Sequence, residues 1–249
     1  MQEELPKEKF INHVLELKSR LIKLFFIFVI LTIFLYSISD FLYQLLLIPL
    51  KSIKAFENHS IIFTSLSEVF TSYISISFFF AFNIIIPYAL IQFYLFLKPG
   101  LYLREKNIII SIILFGIFLY YCGVFFAYYY VMPKAYEFFL SFESNNSNVP
   151  ILMQAKVADY LSLSQNIILA FGVCFEIPII FIALYFAKII SKDFLSNNRK
   201  IFVVIIFVIA GFLTPPDVLS QFALAIPMMF LYELSILVIK KIDSYSRLK

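Results

Sequence analysis

Glu176 is the residue whose setting most demands a chemical account. It stands midway along an apolar run, Asp159 to Ala187, two residues before Pro178. An ionisable side chain at the centre of a bilayer costs roughly 3 kcal/mol on the insertion scale, so such groups face a bundle interior or a wet cavity and mark functional sites. The alternative is structural: a protonated carboxyl that hydrogen-bonds a neighbouring helix, for instance at a backbone group released by Pro178. Glu233, seven residues before Lys240, lies close enough to the end of the last apolar run to snorkel or to pair with the tail. No lysine or arginine sits at the centre of an apolar run, which argues against any mechanism that needs a buried cation.

Outside the apolar runs the chemistry is charge in a basic setting. The N-terminal arm reads His13-Val14-Leu15-Glu16-Leu17-Lys18-Ser19-Arg20-Leu21, with Glu16 and Arg20 at helical spacing. Alone, such a pair is an ordinary surface interaction of about 0.2–0.5 kcal/mol. Glu105 lies between Arg104 and Lys106, and Asp217 follows Pro215-Pro216, where its default role is the N-cap of the next helix. His13 has no partners for a metal site. Cys122 and Cys174 fall inside apolar runs, where a thiol packs as a small hydrophobe. There is no Ser-His-Asp or Cys-His set and no phosphate-cradling glycine loop. A non-enzymatic protein is expected, with no cofactor, metal or nucleic acid.

The elements that position these groups are membrane spans. Of 249 residues, 62% are hydrophobic and 14% charged, and the apolar residues are gathered in long runs that only a bilayer can accommodate. Spans are expected at about 21–39, 70–97, 108–131, 159–187, 201–213 and 218–239 of one polytopic domain, residues 1–249. The fifth is short: thirteen residues rise about 20 Å, against a hydrocarbon core of about 30 Å. The charged start and the length of the first run make it an anchor and not a cleaved signal. With six spans both termini share a side. Sixteen of the twenty lysines and arginines fall on that side, against Lys51, Lys54, Lys134 and Lys156 opposite, so both ends are expected in the cytoplasm, matrix or stroma.

Read together, these residues resemble the C subunit of the twin-arginine protein translocase. The resemblance is carried by His13-x-x-Glu16-Leu17-Lys18-x-Arg20-Leu21, by Gln92 through Tyr102 with Glu105, and by Phe126-Ala127-Tyr128 before Pro133. Phe171-Gly172-Val173-x-Phe175-Glu176-x-Pro178 and Leu213-Thr214-Pro215-Pro216-Asp217-x-x-Ser220-Gln221, with Ala225-Ile226-Pro227, complete it. The family implies an all-α, glove-like bundle of six spans that binds signal peptides bearing paired arginines and hands folded proteins across the membrane, using the proton gradient. By the same resemblance Glu16 and Glu105 would contact the two arginines, and His13, Leu17, Arg20 and Phe96 would shape that surface. Glu176, Gln221 and Asp217 would meet single-span partner subunits, within a larger self-associated complex.

Two positions depart from the family pattern. Lys18 stands where arginine is usual, and lysine lacks the planar fork of a guanidinium. In the second outer loop Lys156 stands where an acid is expected, with Asp159 three residues on, so no residue is assigned there. Composition and the segment Leu213 to Leu234 direct the expectation to the mitochondrial inner membrane, ahead of a thylakoid or bacterial membrane. The competing readings are a proton-coupled carrier or channel using Glu176 and a structural subunit of a respiratory complex.

Overall fold

The computed structural model describes residues 6–53, 61–100, 102–141, 154–213 and 218–247. It is all-helical apart from one isolated bridge between Ile62 and Lys156. The helices are α1 (Pro6–Tyr36), α2 (Ser39–Lys51), α3 (Glu68–Leu97), α4 (Leu103–Phe126), α5 (Met132–Leu140), α6 (Val157–Cys174), α7 (Ile177–Phe186), α8 (Lys192–Asn197), α9 (Arg199–Leu213) and α10 (Val218–Arg247). A π-helical turn, Ala127–Val131, joins α4 to α5. Lipid cannot hydrogen-bond a bare backbone, so apolar runs of this length fold as helices that satisfy themselves.

Among the described residues, five stretches are long and apolar enough to cross a bilayer: His13–Tyr36, Glu68–Gly100, Lys106–Leu140, Val157–Phe186 and Gln221–Asp243. The expected short span corresponds to α9, whose 15 residues rise about 22 Å. The expected fourth span is two helices, α6 and α7, broken at Phe175-Glu176. Pro178 explains the break, because it has no N–H to give the carbonyl four residues back.

The chain divides into two compact units, Met1–Gln44 with Phe70–Ile113 and Leu45–Val69 with Leu114–Lys249. In the first, Phe28 of α1 meets Phe78 of α3 edge to face at 4.8 Å, and the Tyr73 hydroxyl donates to Asp40.

In the second unit α4 and α6 cross closely at two glycines. A Cβ at Gly123 would stand 2.6 Å from the Phe171 carbonyl oxygen and 2.9 Å from the Phe175 side chain, and one at Gly172 would stand 2.8 Å from the Tyr120 ring. Only glycine lets the helices approach this far, the usual device for packing helices in lipid. Polar groups fix the remainder. Pro49 inside α2 leaves the Leu45 carbonyl without its helical donor, and the Tyr128 hydroxyl donates to that oxygen. The Tyr160 hydroxyl donates to the next carbonyl, Leu46. Tyr136 and Ser164 share a buried hydrogen bond of 2.6 Å.

The segments flanking α3 and α6 are clamped by one buried carboxylate. Glu68 Oε2 accepts from the Thr64 N–H at 2.6 Å and the Ser65 N–H at 3.3 Å, while Oε1 accepts from the Ala158 N–H at 3.0 Å. Ile62 pairs with the same strand-like stretch, donating to the Ala155 carbonyl and accepting from the Val157 N–H, both at 3.0 Å.

Two outcomes follow from this packing. Gly123→Leu should lower the thermal midpoint of the detergent-solubilised protein by the equivalent of about 1–3 kcal/mol of overpacking or more, while Gly100→Ala, with nothing within 4 Å of its Cβ, should leave it unchanged. Glu68→Ala should expose the segments around Thr64 and Ala158 to limited proteolysis, with Glu68→Gln intermediate; an unchanged digestion pattern in both would contradict the clamp.

Candidate functional site

The arm residues singled out in the sequence converge in the first unit. His13, Glu16, Leu17 and Arg20 rise along one stretch of α1, and Gln92 and Phe96 stand at helical spacing on α3. The His13 ring stacks on Phe96 with centroids 4.1 Å apart and 14° between planes. Arg20 grips Glu16 twice through one oxygen, with Nε and Nη2 donating to Oε1 at 3.0 and 2.7 Å. Its remaining fork donates to the Gln92 side-chain oxygen at 2.6 Å.

Glu16 therefore faces two ways. Oε1 is taken by Arg20, and Oε2 lies 3.8 Å from His13 Nδ1. The glutamate side chain is 40% exposed and Arg20 24%, so the second oxygen keeps lone pairs open to an arriving donor. Leu17 is half-buried beside them. Glu105 belongs to the same unit and to the first turn of α4, where a helix N-terminus favours a carboxylate; its side chain lies outside the described residues. Lys18 is exposed and takes no part in these contacts.

The intramembrane acid belongs to the second unit. Glu176 occupies the break between α6 and α7, and its carboxylate rests over Gly116 of α4, where a Cβ would stand 3.0 Å from Oε2. The carboxylate has no hydrogen-bond partner among the described residues, so the expected alternative of a bond to a backbone group freed by Pro178 is not what is seen. Gln221, on α10, donates to the Phe207 carbonyl of α9 at 2.9 Å and sits over Gly211, whose Cβ would come 3.0 Å from its nitrogen. Both polar side chains thus lie in notches left by glycines of a neighbouring helix. No hydrogen bond joins them, and Asp217 lies outside the described residues. Glu233 pairs with Arg199 of α9 at 3.2 Å, because α9 and α10 bring that arginine alongside it.

Glu68 went unassigned in the sequence, yet it holds two segments together. Its signal was present: Ser65-x-x-Glu68 has capping-box spacing, in which the acid reaches back to the N-cap amide. The second donor, Ala158, is 90 positions away and no local pattern could announce it. An apolar cavity of about 500 Å³ also opens beside the π turn, walled by Phe126, Tyr130 and Phe171 and by Ile226 and Pro227 of α10.

Comparison with known proteins agrees along the chain. The family model for the Sec-independent protein translocase protein TatC matches residues 12–227. A TatC protein of Rickettsia prowazekii is 47% identical over 235 residues, covering 94% of each chain. The tatC-like protein ymf16 of Reclinomonas americana is 33% identical over 240 residues, covering 95% of this chain and 89% of its own. A crystal structure of the twin-arginine translocase receptor TatC superimposes with a TM-score of 0.76 at 34% identity, covering 92% of this chain and 98% of that one. That structure has six spans, so the short α9 counts as a span beside the five long stretches. With a matched model over most of its length, relatives in bacteria and in Reclinomonas, and a shared helical backbone, this chain belongs to the TatC family of integral membrane protein translocase components.

Proposed function

We propose that this chain is the receptor subunit of a twin-arginine translocase and that the Glu16 surface of the first unit reads the paired arginines of signal peptides. The observation that carries the proposal is the pre-built guanidinium site on α1. Glu16 already binds one guanidinium in Arg20 while its second oxygen remains open beside the His13–Phe96 stack. A carboxylate gripping a guanidinium fork makes two charge-assisted bonds, each roughly twice as strong as a neutral one. Two arginines require two acceptors, and Glu105 is the second. Lysine offers a point charge without the fork, so a Lys-Lys sequence should be discriminated against. His13, Leu17, Arg20 and Phe96 set the shape of the surface.

In this reading the termini and the signal-binding surface lie on the cytoplasmic or matrix side, supported by the concentration of lysine and arginine there. The chain recruits and does not catalyse. A bundle of 29.1 kDa is too small to enclose a folded cargo, so passage requires other subunits. Glu176 in its glycine notch, with Gln221 and Asp217, offers single-span partners a polar site in lipid, where such contacts contribute about 0.6–2 kcal/mol. Copies of the chain and these partners form the larger complex, and the proton gradient supplies the energy.

Photo-crosslinkers placed at Phe96 and at Glu105 should capture a precursor with an intact Arg-Arg pair and lose it when the pair is Lys-Lys; capture indifferent to that change would remove the receptor reading. Glu105→Ala should block export of a folded precursor while the variant still inserts in the membrane at normal abundance. Normal export from it would exclude Glu105 from the site.

A further inference from the structure

We propose that the turn after α7 is a binding site for an anionic phospholipid of the adjoining leaflet, with the lipid phosphate on Lys188 and an acyl chain in the pocket behind it. The argument starts from the backbone. Lys188 has φ 58°, the left-handed region, and is the one non-glycine residue with positive φ among the described residues. Its N–H donates to the Tyr185 carbonyl at 2.9 Å and the Ile189 N–H to the Leu184 carbonyl at 3.0 Å. This is a Schellman ending, whose left-handed position glycine ordinarily fills because a Cβ there is strained. A lysine standing where glycine fits best points to use of its side chain.

The surroundings match a lipid. Lys188 lines a pocket of about 650 Å³ whose other walls include Tyr185, Phe186, Ile190, Phe194 and Ile242, within the usual size of about 300–1,000 Å³ for a bound small molecule. The α6–α7 stretch ends at Phe186, so the pocket lies where the span meets water. Apolar side chains remain uncovered there, with Ile189 68% exposed and Phe194 50%.

Charge selects the headgroup. Asp243 is neutralised by Lys192 at 2.6 Å and accepts from the Tyr185 hydroxyl at 3.0 Å. Exposed Lys240 and Lys241 precede Ile242 in α10, and Asp193 is the opposing exposed acid. Lys188 itself makes no ion pair among the described residues. An anionic phospholipid brings a net negative phosphate diester and an acyl chain together; a free phosphate lacks the chain, and in a zwitterionic lipid the headgroup's own ammonium offsets the phosphate charge that Lys188 would meet. The site needs only the membrane setting and is independent of signal-peptide binding.

The chain has no tryptophan, so Phe194→Trp gives a single fluorescent reporter in the pocket wall, with Phe186→Trp as a second should the first fail to fold. In nanodiscs of mixed phosphatidylglycerol and phosphatidylcholine, acyl-brominated phosphatidylglycerol should quench the reporter with about five-fold preference, the selectivity that one interfacial cation supplies. Adding Lys188→Gly, which relieves the backbone strain and removes the cation, should bring the two lipids level. Equal quenching in the parent reporter, or a preference unchanged by Lys188→Gly, would overturn the site.

Discussion

The crossing of α4 and α6 depends on two helices being able to touch backbone to backbone inside lipid. Lipid tails are as apolar as the side chains they replace, so no hydrophobic force drives helices together there, and association relies on close packing and polar contacts. Gly123 of α4 meets the Phe171 carbonyl and Gly172 of α6 meets the Tyr120 ring. Seven residues before Gly123, on nearly the same helix face, Gly116 leaves room for the Glu176 carboxylate. The contact that fixes the crossing also fixes the seat of the intramembrane acid.

Polar groups that would be costly in a low-dielectric interior are handled by satisfaction across elements. Proline in α2 frees a carbonyl, and a tyrosine from the α4–α5 connection occupies it. Glu68 is 7% exposed, a setting in which a carboxylate is tolerated only when its lone pairs are used, and backbone amides from two segments use them. Glu176 is the contrast. It sits at a helix break with no hydrogen-bond donor among the described residues, its carboxylate held over Gly116.

The arm cluster joins a rigid frame to an adaptable charge. The His13–Phe96 stack and the Arg20–Gln92 bond tie α1 to α3, which holds Glu16 at a set point on its helix. Because Arg20 binds through one oxygen only, the carboxylate is oriented without being consumed.

Composition and run length by themselves determined the helical class and the approximate spans, because in a bilayer a run of apolar residues has few ways to pair its own backbone. Pro178 stood inside an expected continuous span, 159–187, so the interruption at Glu176 was decided by the structure, whereas the order of the motifs Glu16 to Arg20, Phe171 to Pro178 and Leu213 to Gln221 indicated the family. Helical spacing likewise foretold the Glu16–Arg20 pair. Tertiary structure alone decided which groups meet across distance: His13 with Phe96, Glu68 with the Ala158 amide, Glu233 with Arg199, and Gly116 with Glu176. Those meetings depend on how each helix is rotated about its axis and how near it comes to its neighbour. In spans that are apolar on nearly every face, the sequence carries little amphipathic pattern to fix that rotation, so packing of individual side chains has to settle it.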